Sequence, residues 1–203
     1  MGDQCWFAEN INVGDRINGA VNQGDDCDDI EKYCYNDDPD NCDEYGALYQ
    51  WNQAMCGDTN EEAQGICPDG WRLPSHDDWT TLEIYVCNHA GNDDCDTEFP
   101  YDQTTTGFQG NDEGDLLKAS GYSNFCNDDS CDDNYNFTAL PGGYRASSDS
   151  DFYGRNAFGR WWTSTERNAT EAWRRSLGHH YSTVLRNNVN NKNVGFSVRC
   201  IKE

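Results

Sequence analysis

The stretch Cys67-Pro68-Asp69-Gly70-Trp71-Arg72-Leu73-Pro74-Ser75-His76-Asp77-Asp78-Trp79-Thr80-Thr81-Leu82 constrains this chain more than any other. Pro68-Asp69-Gly70 is a turn, because proline presets φ and glycine tolerates positive φ. Trp71 and Leu73 alternate with Arg72, which suits a short half-buried strand. Ser75 reads as a helix N-cap with Asp78 as its capping-box partner. Asp77 and Asp78 place negative charge at the helix N-terminus, where the dipole favours it. Pro74 and Trp79 stand at hydrophobic-staple spacing, and Trp79, Leu82 and Val86 then recur at helical spacing. The expectation is turn, strand, and a capped helix from about Ser75 to His89.

Such an element must be joined to a chain that has few aliphatic residues to bury. Hydrophobic residues make up 35% of the chain, yet seven Trp, eleven Tyr and eight Phe supply large buried areas. There are also eleven cysteines. Zinc is the competing use, but no C-x-x-C pair occurs, and His76, His89, His179 and His180 are not at finger spacing from cysteines. Disulfides are favoured, and with them an oxidising compartment. Nearness in sequence suggests Cys34–Cys42, Cys56–Cys67, Cys87–Cys95 and Cys126–Cys131, with an odd thiol left over. The net charge of −23 argues against nucleic acid and anionic membranes as partners. No run of eighteen apolar residues is present, so no membrane span is expected.

Residues 1–20 are expected to hold an opening strand with Trp6 and Ala8 inward. Residues 21–44 form an Asp/Asn/Cys loop, Gly46–Trp51 a strand, and Asn52–Met55 a short helix. Residues 90–135 are acidic and irregular. Strands are expected at Phe158–Trp162, at Glu171–Leu177 and along Val194–Ile201, where alternation suits one buried face. No fixed repeat or linker interrupts 1–203, so one domain is expected.

The motifs resemble a known family. Trp6-Phe7-Ala8-Glu9-Asn10-Ile11, Cys34 to Cys42, Tyr45 to Trp51, the opening stretch, Ala139-Leu140-Pro141-Gly142-Gly143-Tyr144-Arg145, Trp161 to Glu166 and Gly195 to Cys200 occur in one order. This order is similar to that of the Fibrobacter succinogenes major paralogous domain, a bacterial surface domain. The resemblance implies an α+β, C-type-lectin-like fold: small twisted antiparallel sheets, one or two short helices and long disulfide-stapled loops. It also implies that Gly114–Ala119 is a strand. The strand that this family usually carries upstream of the Trp6 motif is absent, and no signal peptide is visible.

Four kinds of site follow. The segment Trp162–Asn193 is rich in residue types found on adaptable binding surfaces. Trp162, Trp173, Arg175, His179, His180, Tyr181, Arg186, Asn188, Asn190 and Asn191 are its ligand-binding candidates, for a glycan or a protein. Without a ligand the same segment reads as a polar strand pair with an Asn-rich turn. In related proteins diversified by retroelements, the C-terminal segment carries the variable binding residues, and His179, His180, Tyr181, Ser182 and the Asn run resemble such a set. Calcium is a weaker reading: Asn92, Asp94, Asp96 and Glu98 alternate, as do Asp128, Ser130 and Asp132, but neither set is an EF-hand loop. No metal or other cofactor is assigned. Asn136 and Asn168 open glycosylation sequons. Catalysis is not expected, since the cysteines sit among aspartates rather than beside the positive charge that makes a reactive thiolate.

The sequence thus points to a non-enzymatic extracellular or cell-surface recognition or adhesion domain. The alternative is a homo-oligomeric or filament subunit, assembled when one protomer's strand fills a neighbour's open sheet edge.

Overall fold

The computed structural model describes residues 1–126, 131 and 133–203. Two short parallel strands, β1 (Asp15–Arg16) and β2 (Glu31–Lys32), flank the first acidic loop. Helix α1 (Pro39–Tyr45) starts with proline at its first turn, and the Asp38 side chain accepts from the Asp40 N–H. Then come α2 (Trp51–Ala54), β3 (Trp71–Arg72), α3 (His76–Ala90), α4 (Cys95–Glu98), β4 (Gly107–Gln109) and α5 (Glu113–Leu117). The rest is β: β5 (Gly142–Arg145), β6 (Phe152–Arg155), β7 (Phe158–Asn168), β8 (Glu171–Gly178), β9 (Val184–Asn191) and β10 (Ile201–Lys202). The result is a mixed α/β architecture of mostly small antiparallel sheets, few helices and several disulfides.

Helix α3 forms as its capping residues dictate. Ser75 accepts from the Asp78 N–H at 3.1 Å while the Asp78 carboxylate accepts from the Ser75 N–H at 2.7 Å. The helix ends at Gly91, whose left-handed φ of 82° costs glycine nothing. Trp79, Leu82 and Val86 form its buried stripe, and full burial of each aliphatic side chain contributes roughly 1.5–3 kcal/mol.

The principal sheet has the antiparallel order β4-β9-β8-β7. Successive residues of a strand point to opposite faces, and adjacent Trp161 and Trp162, both fully buried, serve one core each. On the inner face Trp161, Leu177 and Val184 pack with α3 residues Trp79, Leu82 and Val86. On the outer face Trp162 and Ala172 join Phe196, Tyr49, Trp51 and Val198. Each indole N–H is satisfied at 2.8 Å, Trp161 by Asn10, Trp162 by the Tyr49 carbonyl and Trp51 by the Thr163 carbonyl.

Several expectations are corrected. Five α-helices occur among the described residues rather than one or two. Gly114–Ala119 holds part of α5, not a strand; the Asp115 N–H donates to the Ser182 carbonyl. Gly46–Trp51 is reduced to bridges at Leu48 and Tyr49. Ala8 is exposed, although Trp6 is buried and bridges Ile201. Val194–Ile201 does not have one buried face: Ser197 and Arg199 are buried as fully as Phe196 and Val198, because cores lie on both sides.

Five disulfides are present: Cys27–Cys56, Cys34–Cys42, Cys67–Cys200, Cys87–Cys95 and Cys126–Cys131. Three expected pairs are found, but Cys56–Cys67 is not. β3 pairs with β10, which brings Cys67 to Cys200 across 133 residues of sequence. Cys56 instead staples the acidic loop through Cys27. Cys5 is free and exposed.

Candidate functional site

The outer face of the sheet is covered at one end and open at the other. Registry defines a row across all four strands: Phe108 of β4 faces Leu185 of β9, Leu185 faces Ser176 of β8, and Ser176 faces Arg160 of β7. Phe158 and Gly178 form the next pair toward the open end. In the other direction lie Asn187, Arg174 and Trp162, where Phe196 covers the sheet.

The open end is built from fixed parts. Tyr181, in the β8–β9 connection, stacks on Phe108 with ring centroids 4.4 Å apart, yet both remain nearly half exposed, at 44% and 49%. Lys118, fully buried just past α5, holds this connection from behind. Its ammonium donates to the Gly178 and Tyr181 carbonyls at 2.9 and 2.8 Å and pairs with Asp115. The loop entering β4 is ordered by Asp102, which accepts from the Thr104 and Thr105 N–H groups, both at 2.6 Å. Those backbone donors hold its carboxyl well below the usual carboxylate range. Phe108, Phe158, Arg160, Ser176, Gly178, Tyr181 and Leu185 then enclose a small cavity of about 40 Å³.

Two arginines sit under this end. Arg160 places its guanidinium 3.9 Å from the Tyr144 ring centroid and 5.0 Å from that of Phe158, and its buried Nε has no hydrogen-bond partner. Arg174 donates through Nε to Asn190 at 2.6 Å and through Nη1 to Ser176 Oγ. Among the described residues neither arginine has a carboxylate within ion-pair distance. Burial, followed by the charge of Arg160, pulls the Arg174 guanidinium down to about 9.

The ten ligand-binding candidates do not share one surface. Arg175 and Arg186 point to the inner face, fully buried, and both bind Glu83 of α3. Arg175 Nε reaches one carboxylate oxygen at 2.6 Å, and Arg186 Nη2 reaches the other at 2.5 Å. Trp173 is buried against His76. Trp162 is buried under Phe196. These four are therefore corrected to core residues. Asn190 is 8% exposed and serves Arg174, so it too is corrected to a supporting role. His180 and Tyr181 are exposed, and His179 is half-buried beside them. Asn188 is half-buried and Asn191 exposed toward the far end of β9. Seven residues separate Val184 from Asn191, roughly 23 Å of strand, so the His-Tyr and Asn sets cannot contact one small ligand together. The run expected as an Asn-rich turn lies mostly in β9, where pairing with β8 overrides the turn preference of asparagine.

Phe108, Phe158, Arg160, Ser176 and Leu185 were not among the candidates. Alternation along Phe158-Gly159-Arg160-Trp161-Trp162 is a usable signal for Phe158 and Arg160. Nothing local pairs Phe108 with Leu185, 77 residues later in the numbering.

A larger groove lies elsewhere, between Asp37 and Asp149. Two of its three carboxylates are already committed: Asp37 accepts from Gly19 N–H and Asn18, and Asp149 from Tyr153 and Asp151 N–H. Among the described residues no group of three or more His, Cys, Asp or Glu is arranged to hold a metal ion. Asn92 is bonded to Asp112 and Glu113, and Glu98 to the Gly110 N–H, so the first calcium alternation does not converge. Asp128, Ser130 and Asp132 lie outside the described residues. Both sequon asparagines are exposed; the Asn168 side-chain carbonyl accepts from the Thr170 hydroxyl, whereas the Thr138 hydroxyl after Asn136 donates to Asp133. Among the described residues no helix is long and apolar enough to cross a membrane.

A family model described as the Fibrobacter succinogenes major domain matches residues 1–202. No curated protein matches, and no solved structure matches.

Proposed function

The chain belongs to the Fibrobacter succinogenes major domain family, and from that premise we propose a non-enzymatic recognition domain, extracellular or at a cell surface, with a C-type-lectin-like fold. It binds a glycan or protein ligand through the open end of the outer sheet face. The observation that carries this reading is the Phe108–Tyr181 shelf. Two large aromatic rings are left nearly half exposed while Lys118 and Asp102 fix the loops that present them. A preorganised aromatic surface binds without the cost of ordering it first. Small antiparallel sheets joined by long stapled loops are consistent with the fold. The five disulfides fit an oxidising compartment.

A binding role fits better than catalysis. The serine hydroxyl that lines the cavity at the shelf is Ser176, and its neighbour Arg174 is a donor that cannot serve as a base. Glycan and surface-protein arrays test the reading. The double variant Phe108→Ala/Tyr181→Ala should lose the binding of the parent chain while keeping its unfolding midpoint. Binding that survives the double change removes this surface from consideration.

Exposed Cys5 favours a second reading, a filament subunit joined by intermolecular disulfides. Electron microscopy of the native material decides it, and dispersed monomers alone would remove the idea.

A further inference from the structure

The small cavity beneath the aromatic shelf is apolar, and a glycine keeps it open. Phe108, Phe158, Tyr181 and Leu185 supply its walls, which are almost entirely apolar. Its two polar side chains are engaged elsewhere. Ser176 is buried, with its Oγ bonded to Arg174. The Arg160 guanidinium lies over the Tyr144 ring, 3.9 Å from its centroid, and its Nε is sealed from solvent. Gly178 leaves the space clear. A Cβ at that position would stand 3.1 Å from two Phe158 ring carbons and 3.3 Å from a Tyr181 ring carbon. The Gly178 backbone is not left-handed, so an alanine could follow the same path. What the missing side chain provides is room between two aromatic rings.

We propose that this slot receives the methyl group of a 6-deoxyhexose whose ring lies against the Phe108–Tyr181 shelf. The proposal rests on the recognition reading above and names its ligand class. At about 40 Å³ the slot admits one small group. A trapped water needs two to four polar partners, and these walls offer almost none, so a methyl group displaces no well-held water. The hydroxymethyl group of an ordinary hexose would bury its hydroxyl there without a partner. An acetamido methyl would bring an amide N–H and C=O to the same dry rim. The methyl of a 6-deoxyhexose is attached to a ring carbon alone and carries no polar atom with it. The rest of the apolar contact is about the size of one sugar ring. The next exposed large apolar side chain on β9, Val189, lies four residues beyond Leu185, roughly 13 Å along the strand. A lipid chain, or a peptide anchored by several apolar side chains, would need apolar surface across that gap. A neutral sugar is also indifferent to the net charge of −23, which repels anionic ligands at long range.

Methyl α-L-fucoside and methyl α-L-galactoside differ only by the hydroxyl on C6, as do methyl α-L-rhamnoside and methyl α-L-mannoside. These two pairs serve as probes, titrated against the full chain and followed by backbone amide shifts. In at least one pair the deoxy member should bind about ten-fold more tightly or better. The Phe108, Gly178 and Leu185 amides should move. Gly178→Ala fills the slot and should cut affinity for that deoxyglycoside about ten-fold, bringing it close to that of its hydroxylated partner. Leu185→Ala widens the slot and should reduce the same preference several-fold. Leu185 is only half-buried, so this variant decides the matter if Gly178→Ala fails to fold. Equal affinity within both pairs, no binding in either pair, or a preference untouched by both substitutions overturns the proposal. Tighter binding of N-acetylvaline methylamide at the same amides also overturns it, in favour of a protein ligand. If Phe108→Ala/Tyr181→Ala abolishes the array binding of the parent chain while neither pair shows a deoxy preference, the recognition reading stands and the deoxyhexose slot falls.

Discussion

The two faces of strand β8 carry adjacent arginines that live under opposite conditions. Arg175 turns inward, and the Glu83 carboxylate meets it and Arg186 together. Arg174 turns outward, and only neutral oxygens of Asn190 and Ser176 meet it. Both side chains are buried, at 0% and 7% exposure. Burial therefore does not distinguish these two arginines; the presence of a counter-ion does. In the inner network the charges are paired: both Glu83 oxygens are occupied, and spare guanidinium donors go to the His76 and Pro100 carbonyls and the Thr80 hydroxyl, while the His76 Nε2 is left without a partner. The outer pair is open, with one donor unsatisfied at Arg160.

The sharpest way to break the comparison is to open the closed side. Glu83→Gln keeps the shape but leaves two buried guanidinium groups without a carboxylate. Removing one partner of a buried ion pair costs about 3–5 kcal/mol. Chemical denaturation should show a loss of that order, with ligand binding at the outer face retained in whatever fraction stays folded. A loss below about 1 kcal/mol would mean that the inner network is no more closed than the outer one.

Acid sharpens the same contrast. His76 sits in the inner network, and burial, then the charges of Arg175 and Arg186, push its imidazole down to about 3. The folded state therefore keeps it neutral, while an unfolded chain protonates it near its ordinary value of about 6.5. The unfolded state binds the extra proton between those values. Stability from this group is complete above about pH 6.5 and is lost as pH falls toward 3, by up to about 1.4 kcal/mol per pH unit. His76→Gln should flatten that part of the stability profile measured by denaturant titration at a series of pH values. An unchanged slope would place the acid sensitivity elsewhere.

How much of this was legible beforehand depends on how far each partner lies along the chain. The capping box of α3 was readable because Ser75 and Asp78 are three residues apart. The disulfides of short span were readable for the same reason. The partner of Cys67 is not legible locally, because it lies 133 residues away. The arginines could not be sorted at all from local pattern: every residue of β8 after Glu171 is buried, so no polar–apolar alternation marks its faces. Arg174 and Arg175 look equivalent in sequence, and only Glu83, 92 residues before Arg175, distinguishes them. Tyr181 is exposed, but its partner Phe108 comes from a three-residue strand with no signal of its own.

The smallest expected effect is on the open side. Arg174→Met replaces a guanidinium that has no carboxylate partner with an apolar side chain of similar reach. The Phe196 ring, 5.4 Å from the guanidinium, offers the thioether an apolar contact. Losing two hydrogen bonds to neutral oxygens opposes the gain from removing an uncompensated buried charge. The two effects should nearly cancel, leaving the unfolding free energy within about 1 kcal/mol of the parent. At Arg175, by contrast, a change to Met strands Glu83 against Arg186 alone and should cost several-fold more. Equal destabilisation by Arg174→Met and Arg175→Met, measured side by side in denaturant, would erase the distinction between the two faces.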